Sequence, residues 1–314
     1  MRKMSRPLPR RGVLAGALAL PALAGAARGQ GAARPVTVSS KLDTESALLG
    51  QMISEVLEAR GVTVRQRLQL GPTAIVRQAI LAGEVDLYPE YTGNGAFFFQ
   101  MEDDPAWKRA DTAYAKVRDL DAQRNNLVWL RPAPANNTWA IAVRDDLFRS
   151  ARLATLEDLA RYLGGGGTFK LAASAEFVQS PAALPAFQRT YGFRLTPAQL
   201  LVVAGGDTAV TMRAAAERLN GVNAAMVYGT DGAISALNLR VLDDTKGAQI
   251  VYEPAPLVRR EVSERLPELA AWLEPVFRSL EAEKLRELNA RIVVEGRPVR
   301  DVAREHLRSI GQLS

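Results

Sequence analysis

The stretch VTVSSKLDTESALLGQMISEVLEARG, residues 36–61, decides the fold. Val36-Thr37-Val38-Ser39 reads as a short strand. After it Leu48, Leu49, Met52, Ile53, Val56 and Leu57 recur at helical spacing, and Gly61 supplies the stop. The unit then repeats. Val62 and Val64, with the alternation through Leu68, predict a second strand; Thr73 opens a helix with Ile75, Val76, Ala79 and Ile80 inward; Gly83 ends it before a strand at Val85-Asp86-Leu87-Tyr88. Strands alternating with helices of this length predict an α/β fold with a mainly parallel sheet covered on both faces.

The same grammar restarts after the loop Arg131-Pro132-Ala133-Pro134-Ala135. Strands are expected at Trp139 to Val143, Lys170 to Ala173 and Ala224 to Tyr228, and helices at Leu156 to Leu163 and around Val210 to Leu219. A second Pro-rich crossing, Tyr252-Glu253-Pro254-Ala255-Pro256, precedes C-terminal helices rich in Leu, Glu and Arg. The simplest organisation has two lobes, residues 36–135 with 250–314 and residues 136–249, joined by two crossings. The chain is also too long for one core of ordinary size. Gly164 to Gly167 do not make a phosphate loop, because Thr168, Phe169 and Lys170 follow directly without the required spacing.

Charge divides the chain sharply. Residues 1–34 hold seven basic side chains (Arg2, Lys3, Arg6, Arg10, Arg11, Arg28, Arg34), no acidic one, and an apolar run over 12–27. That run is shorter than the roughly twenty residues of a spanning helix, and small residues follow it, so residues 1–29 are expected to be an export signal. Arg10-Arg11 before the run favours the twin-arginine route, though a general secretory signal also fits. Of 40 Lys and Arg in the whole chain, removing those seven leaves 33 against 34 acidic residues, close to neutrality. No basic face remains for nucleic acid. There is no cysteine, hence no disulfide framework, thiol nucleophile, Cys-bound metal or lipid-anchored N-terminus. The single histidine, His306, lies in a charged helical pattern and is expected to be solvated; Ser/His triads and clustered-His metal sites are excluded.

Four aromatic residues stand among turn-forming or polar neighbours: Tyr91 in Tyr88-Pro89-Glu90-Tyr91-Thr92-Gly93-Asn94, Trp139 after Asn136-Asn137-Thr138, Tyr228 before Gly229-Thr230-Asp231-Gly232, and Tyr252 at the second crossing. Residue by residue they fit packed interface positions as well as ligand contacts. The wider motifs go further. Ser39-Ser40-Lys41-Leu42-Asp43-Thr44-Glu45, Leu70-Gly71-Pro72-Thr73 with Arg77, and the blocks around Tyr91 and Tyr228 resemble the osmoprotectant-binding proteins of ABC importers. The likeness runs from about Val36 to the C-terminus. Ala96-Phe97-Phe98-Phe99 and Pro134-Ala135-Asn136-Asn137-Thr138-Trp139 resemble the branch containing the low-affinity periplasmic glycine betaine-binding protein.

The resemblance implies a type II periplasmic binding-protein fold whose hinged cleft holds a quaternary ammonium in an aromatic box formed by Tyr91, Trp139, Tyr228 and Tyr252. A methylated ammonium has no N–H to donate, so ring faces must recognise it, at about 0.5–2 kcal/mol each. Four rings give roughly 2–8 kcal/mol against the ~8 kcal/mol of micromolar binding, so the ligand's other end must contribute. For a carboxylate the resemblance implies Lys41 and Asn94. It also implies an arginine where Glu176-Phe177-Val178-Gln179-Ser180 carries Ser180, so betaine binds weakly or the preferred ligand is choline. Asn137 lies beside the box, facing the cation or capping a turn. Asp207 or Thr208 reads as a helix cap, with Thr208 at amides able to hold an anionic group, and Glu90 as a lobe-stabilising residue. Implied partners are a permease and ATPase in the inner membrane, with the protein a monomer in the periplasm and no cofactor. Two other classes are weighed: an enzyme using Asp86 or Glu90 as acid and base, and a ligand sensor.

Overall fold

The computed structural model describes residues 34–203 and 208–314; the expected export segment lies outside them, as does Asp207. Among the described residues ten strands form within one compact unit, Pro35–Ser314. They are β1 (Val36–Lys41), β2 (Val64–Gly71), β3 (Leu87–Tyr91), β4 (Leu127–Trp129), β5 (Trp139–Arg144), β6 (Leu171–Ser174), β7 (Leu200–Val203), β8 (Ala224–Tyr228), β9 (Leu239–Val241) and β10 (Pro254–Arg259). They make two five-stranded sheets of the same plan, β2-β1-β3-β10-β4 and β7-β6-β8-β5-β9. In each, three parallel strands are followed by an antiparallel one, β10 against β3 and β5 against β8. The fold is α/β in two sheets, joined by chain crossings before β5 and after β9.

The opening segment behaves as its periodicity dictates. Asp43 caps the helix Thr44–Ala59 through Ser46 N at 2.8 Å, and Leu48, Leu49, Met52, Ile53, Val56 and Leu57 are fully buried against the first sheet. The C-terminal helices Leu269–Arg278, Ala282–Val293 and Val299–Ser309 return to the same core. The opposite face is closed by Val76, Ile80, Trp107 and Trp129. Ile75, expected inward, is 47 % exposed: the helix Thr73–Leu81 rests on Val76 and Ile80 and turns Ile75 outward.

Two further expectations change. His306 is buried, not solvated, and its Nε2 lies 2.9 Å from Ser279 Oγ, because an amphipathic helix turns this polar residue to the inner face. The second Pro-rich crossing becomes, from Pro254, an interior strand, an unusual place for proline. The register resolves it. Pro256 faces Pro89 across the ladder, and Pro254 and Pro256 direct their carbonyls to Ala133 N and Leu130 N at 2.8 and 2.9 Å, so both serve only as acceptors. No helix among the described residues is long and apolar enough to cross a membrane.

Candidate functional site

The loops at the carboxyl ends of parallel strands are where α/β sheets expose backbone and side chains to a crevice. Here β1 ends at Lys41, β3 at Tyr91 and β8 at Tyr228, while antiparallel β5 starts at Trp139 and Tyr252 precedes β10. Register fixes the rings as neighbours: Trp139 opposes Tyr228, and Pro254, two residues past Tyr252, opposes Tyr91. One cleft of about 980 Å³ results, lined by Tyr91, Trp139, Tyr228, Tyr252, Lys41, Asn94, Asn137 and Thr208. This is the upper end of the ~300–1,000 Å³ usual for small-molecule sites.

Trp139 and Tyr228 stack with centroids 6.5 Å apart and planes 23° off parallel, and Phe177 meets Trp139 edge-on from behind at 6.0 Å. The crossings set Tyr252: its backbone N donates to Asn136 Oδ1 at 2.8 Å, and its carbonyl accepts from Asn137 N at 2.9 Å. Burial pushes its phenol well above the ordinary range, with Tyr228 and Glu90 adding to the rise. It stays a neutral ring at any physiological pH.

Beneath Tyr91 lies a buried knot of charge. Glu90, fully buried, accepts from Tyr88 Oη (2.8 Å), Tyr91 N (2.7 Å), Asn94 Nδ2 (2.7 Å) and Lys41 Nζ. Lys41 and Asn94 are therefore both committed to a carboxylate already in the protein. The Lys41 ammonium also lies 4.6 Å from the centroid of the Tyr91 ring, covering one of its faces. Glu90 thus orients two cleft side chains. Asp86 accepts from Thr37 N (2.9 Å) and Arg259 Nη1 (3.3 Å), structural ties on the first sheet.

Glu45 is the cleft residue that the sequence reading passed over. It is buried one residue into the helix capped by Asp43, accepting from Tyr91 Oη at 2.8 Å, Asn289 Nδ2 at 2.8 Å and Asn137 Nδ2 at 3.2 Å. Burial, aided by Asp43, raises its pKa to about 7 although Thr230, Tyr91 and Asn289 oppose the rise. The available signal was an acidic residue two positions after a cap, just past the end of a parallel strand.

The two lobes meet beside this group. Asn289 Nδ2 reaches Thr230 O at 3.0 Å, and Arg286 Nε reaches Gly229 O at 2.7 Å. Glycine at 232 is needed for this approach, since a Cβ there would lie 2.3 Å from Ala290 N; Gly229 is needed within its own half, where a Cβ would lie 2.2 Å from Asn136 O. Ser180 ends the short helix Ala175–Gln179, its N–H donating to Glu176 O at 2.8 Å. The following residues Pro181 and Ala182 line the cleft. Thr208 begins the helix Thr208–Ala216 at the cleft wall.

Residues 34–309 match the family described as the substrate binding domain of ABC-type glycine betaine transport system. The chain is 57 % identical over 280 residues to the glycine betaine-binding protein YehZ of Escherichia coli strain K12, covering 89 % of this chain and 92 % of that one. It is 31 % identical over 288 residues to a glycine-betaine-binding protein of Pseudomonas aeruginosa, covering 90 % of each. The solved structure of apo YehZ from Escherichia coli superposes with a TM-score of 0.85, covering 89 % of this chain and all of that one.

Proposed function

The chain belongs to the family of substrate-binding domains of ABC-type glycine betaine transport systems, and we propose that it captures glycine betaine between its lobes in the periplasm and presents it to a membrane permease and ATPase. The observation that carries this reading is the convergence of Tyr91, Trp139, Tyr228 and Tyr252 on one cleft. Stacked rings offer the negative faces that a trimethylammonium needs and a hydrogen-bonding site cannot supply. Glu45 adds a carboxylate beside them, and Lys41, Asn94, Asn137 and Thr208 give the cleft its polar surround.

The ligand itself is supported by likeness to two proteins named for glycine betaine binding. Delivery follows from hinge physics: contacts from both lobes favour the closed state, and the permease reads that closure. The function is one of binding without covalent chemistry, performed by a monomer that holds every cleft residue itself. Its basic, apolar leader supports export.

Calorimetry of the purified protein against glycine betaine, choline and carnitine tests the reading, with betaine expected to bind most tightly. Tyr91→Ala and Tyr252→Ala should each weaken it roughly two- to thirtyfold, the range of one lost cation–ring contact. Unchanged affinity in both variants would remove the aromatic box from the mechanism.

A further inference from the structure

The cleft contains a hydrogen-bond donor with nothing to bond. Gln249 is 5 % exposed and lines the cleft, yet its Nε2, itself closed off from solvent, has no partner. A buried amide N–H left unpaired is disfavoured and rare in folded proteins. A turn of the side-chain amide toward the cleft would let a ligand acceptor complete it.

The backbone around Gln249 is firmly set. Asp244 accepts from Ala248 N and from Gln249 N, each at 2.9 Å. On the other side Thr138 Oγ1 donates to Ile250 O at 2.8 Å, so Gln249 runs beside the residue that precedes Trp139. Asp244 also accepts from Tyr191 Oη, which ties this loop to the helix Leu184–Tyr191. That helix brings Arg189 to the same cleft, its guanidinium donating to Pro181 O at 2.9 Å. The cleft lining therefore includes an unpaired amide and a cation as well as the rings. Lys41 and Asn94, by contrast, both point at Glu90, whose negative charge disfavours a second carboxylate there.

We infer that Gln249 is the specificity residue for the anionic end of the ligand, donating its free Nε2–H to the carboxylate while the rings hold the trimethylammonium. This deepens the proposed function and rests on it. It also sets an orientation: the cation lies toward Glu45 and the rings, the carboxylate toward Gln249 and Arg189.

Calorimetry with glycine betaine, choline and tetramethylammonium, which carry a carboxylate, a hydroxyl and neither, reads the inference as a ratio of affinities. Gln249→Leu should lower the betaine-to-tetramethylammonium ratio roughly ten- to a hundredfold, the loss of one hydrogen bond to a charged acceptor. Gln249→Glu, nearly isosteric, should reject betaine more strongly and invert its order with choline, whose hydroxyl can donate to the new carboxylate. An unchanged ratio in both variants, or equal weakening of all three ligands, overturns the role of Gln249 while leaving the ring cage standing. Failure of the unmodified protein to bind any of the three overturns the proposed function, and this inference with it.

Discussion

The two sheets share one strand order, yet the first sets its cleft ring, Tyr91, over buried charge, whereas the second stacks its two rings on each other. At the edge of the first, Lys41, Glu90, Tyr88 and Asn94 form a buried network, with Glu45 beside it. At the edge of the second, Trp139 and Tyr228 stack, backed by Phe177. The first lobe's hydrogen bonds are made between its own side chains, so it acts as a preorganised electrostatic floor. The second contributes shape and ring faces. In the orientation proposed above, the cation reads the rings and Glu45 while the carboxylate turns to Gln249 and Arg189, so a zwitterion engages both halves of the cleft.

The largest test of this contrast is removal of Glu90. Glu90→Ala leaves Lys41 buried without its counter-charge and strips an acceptor from Tyr88 and Asn94. Breaking a buried pair from one side destabilises by about 3–5 kcal/mol, which urea unfolding should register. Replacing both charges, as Lys41→Met with Glu90→Leu, should recover most of the loss. In the second lobe Trp139→Leu should cost less stability, since that ring is half-buried, and more affinity. A loss below ~1 kcal/mol for Glu90→Ala would place the pair in the class of screened surface bridges and erase the distinction between the lobes.

Next in size is the seam between them. Gly232→Ala puts a methyl 2.3 Å from Ala290 N, so the loop after β8 must retreat from the helix Ala282–Val293. Overpacking of this kind costs about 1–3 kcal/mol, visible as a lower melting temperature and a weaker ligand. Gly164→Ala, where the added atom meets nothing within 4 Å, is the matched control and should change neither.

Much of this arrangement was legible in the chain because periodicity reports burial. The helix after β1 and the strands around Trp139 and Ala224 follow from apolar spacing alone. The ring positions were legible as oddities, aromatic residues beside Gly, Pro and Asn, but only motif resemblance assembled them into a box. What stayed hidden depends on long-range pairing. Pro254–Arg259 was read in part as a crossing because its place inside a sheet depends on the carbonyls of Pro254 and Pro256 finding Ala133 and Leu130, a register that no local pattern encodes. His306 looked solvated because its neighbours in sequence are charged, whereas its burial is decided by Ser279 on another helix. Gln249 was invisible for the same reason, and Glu45 carried only a weak local signal: what surrounds each is decided by folding.

The smallest effect concerns Glu45, where the charged floor meets the proposed cation site. Its carboxyl titrates near pH 7, against 4.5 for an unhindered glutamate, and it faces Asp43 from its own segment, Tyr91 from β3, Asn137 from the crossing, Asn289 from the helix Ala282–Val293 and Thr230 from the loop after β8. Because the folded value is raised, protonated Glu45 contributes stability that is full below pH 4.5 and is lost as pH rises through about 7. Glu253, also raised to about 7 by burial, adds the same sign; His306, lowered by burial, adds the opposite one, lost as pH falls, so the net slope is shallow. Binding isolates the group. Tetramethylammonium does not titrate, and a cation near Glu45 favours its ionised form, so affinity should rise roughly tenfold from pH 5.5 to pH 8. Glu45→Gln should flatten that rise while the box still binds. A pH slope that survives the substitution would move the cation away from Glu45 and leave the rings of the second lobe as its main contact.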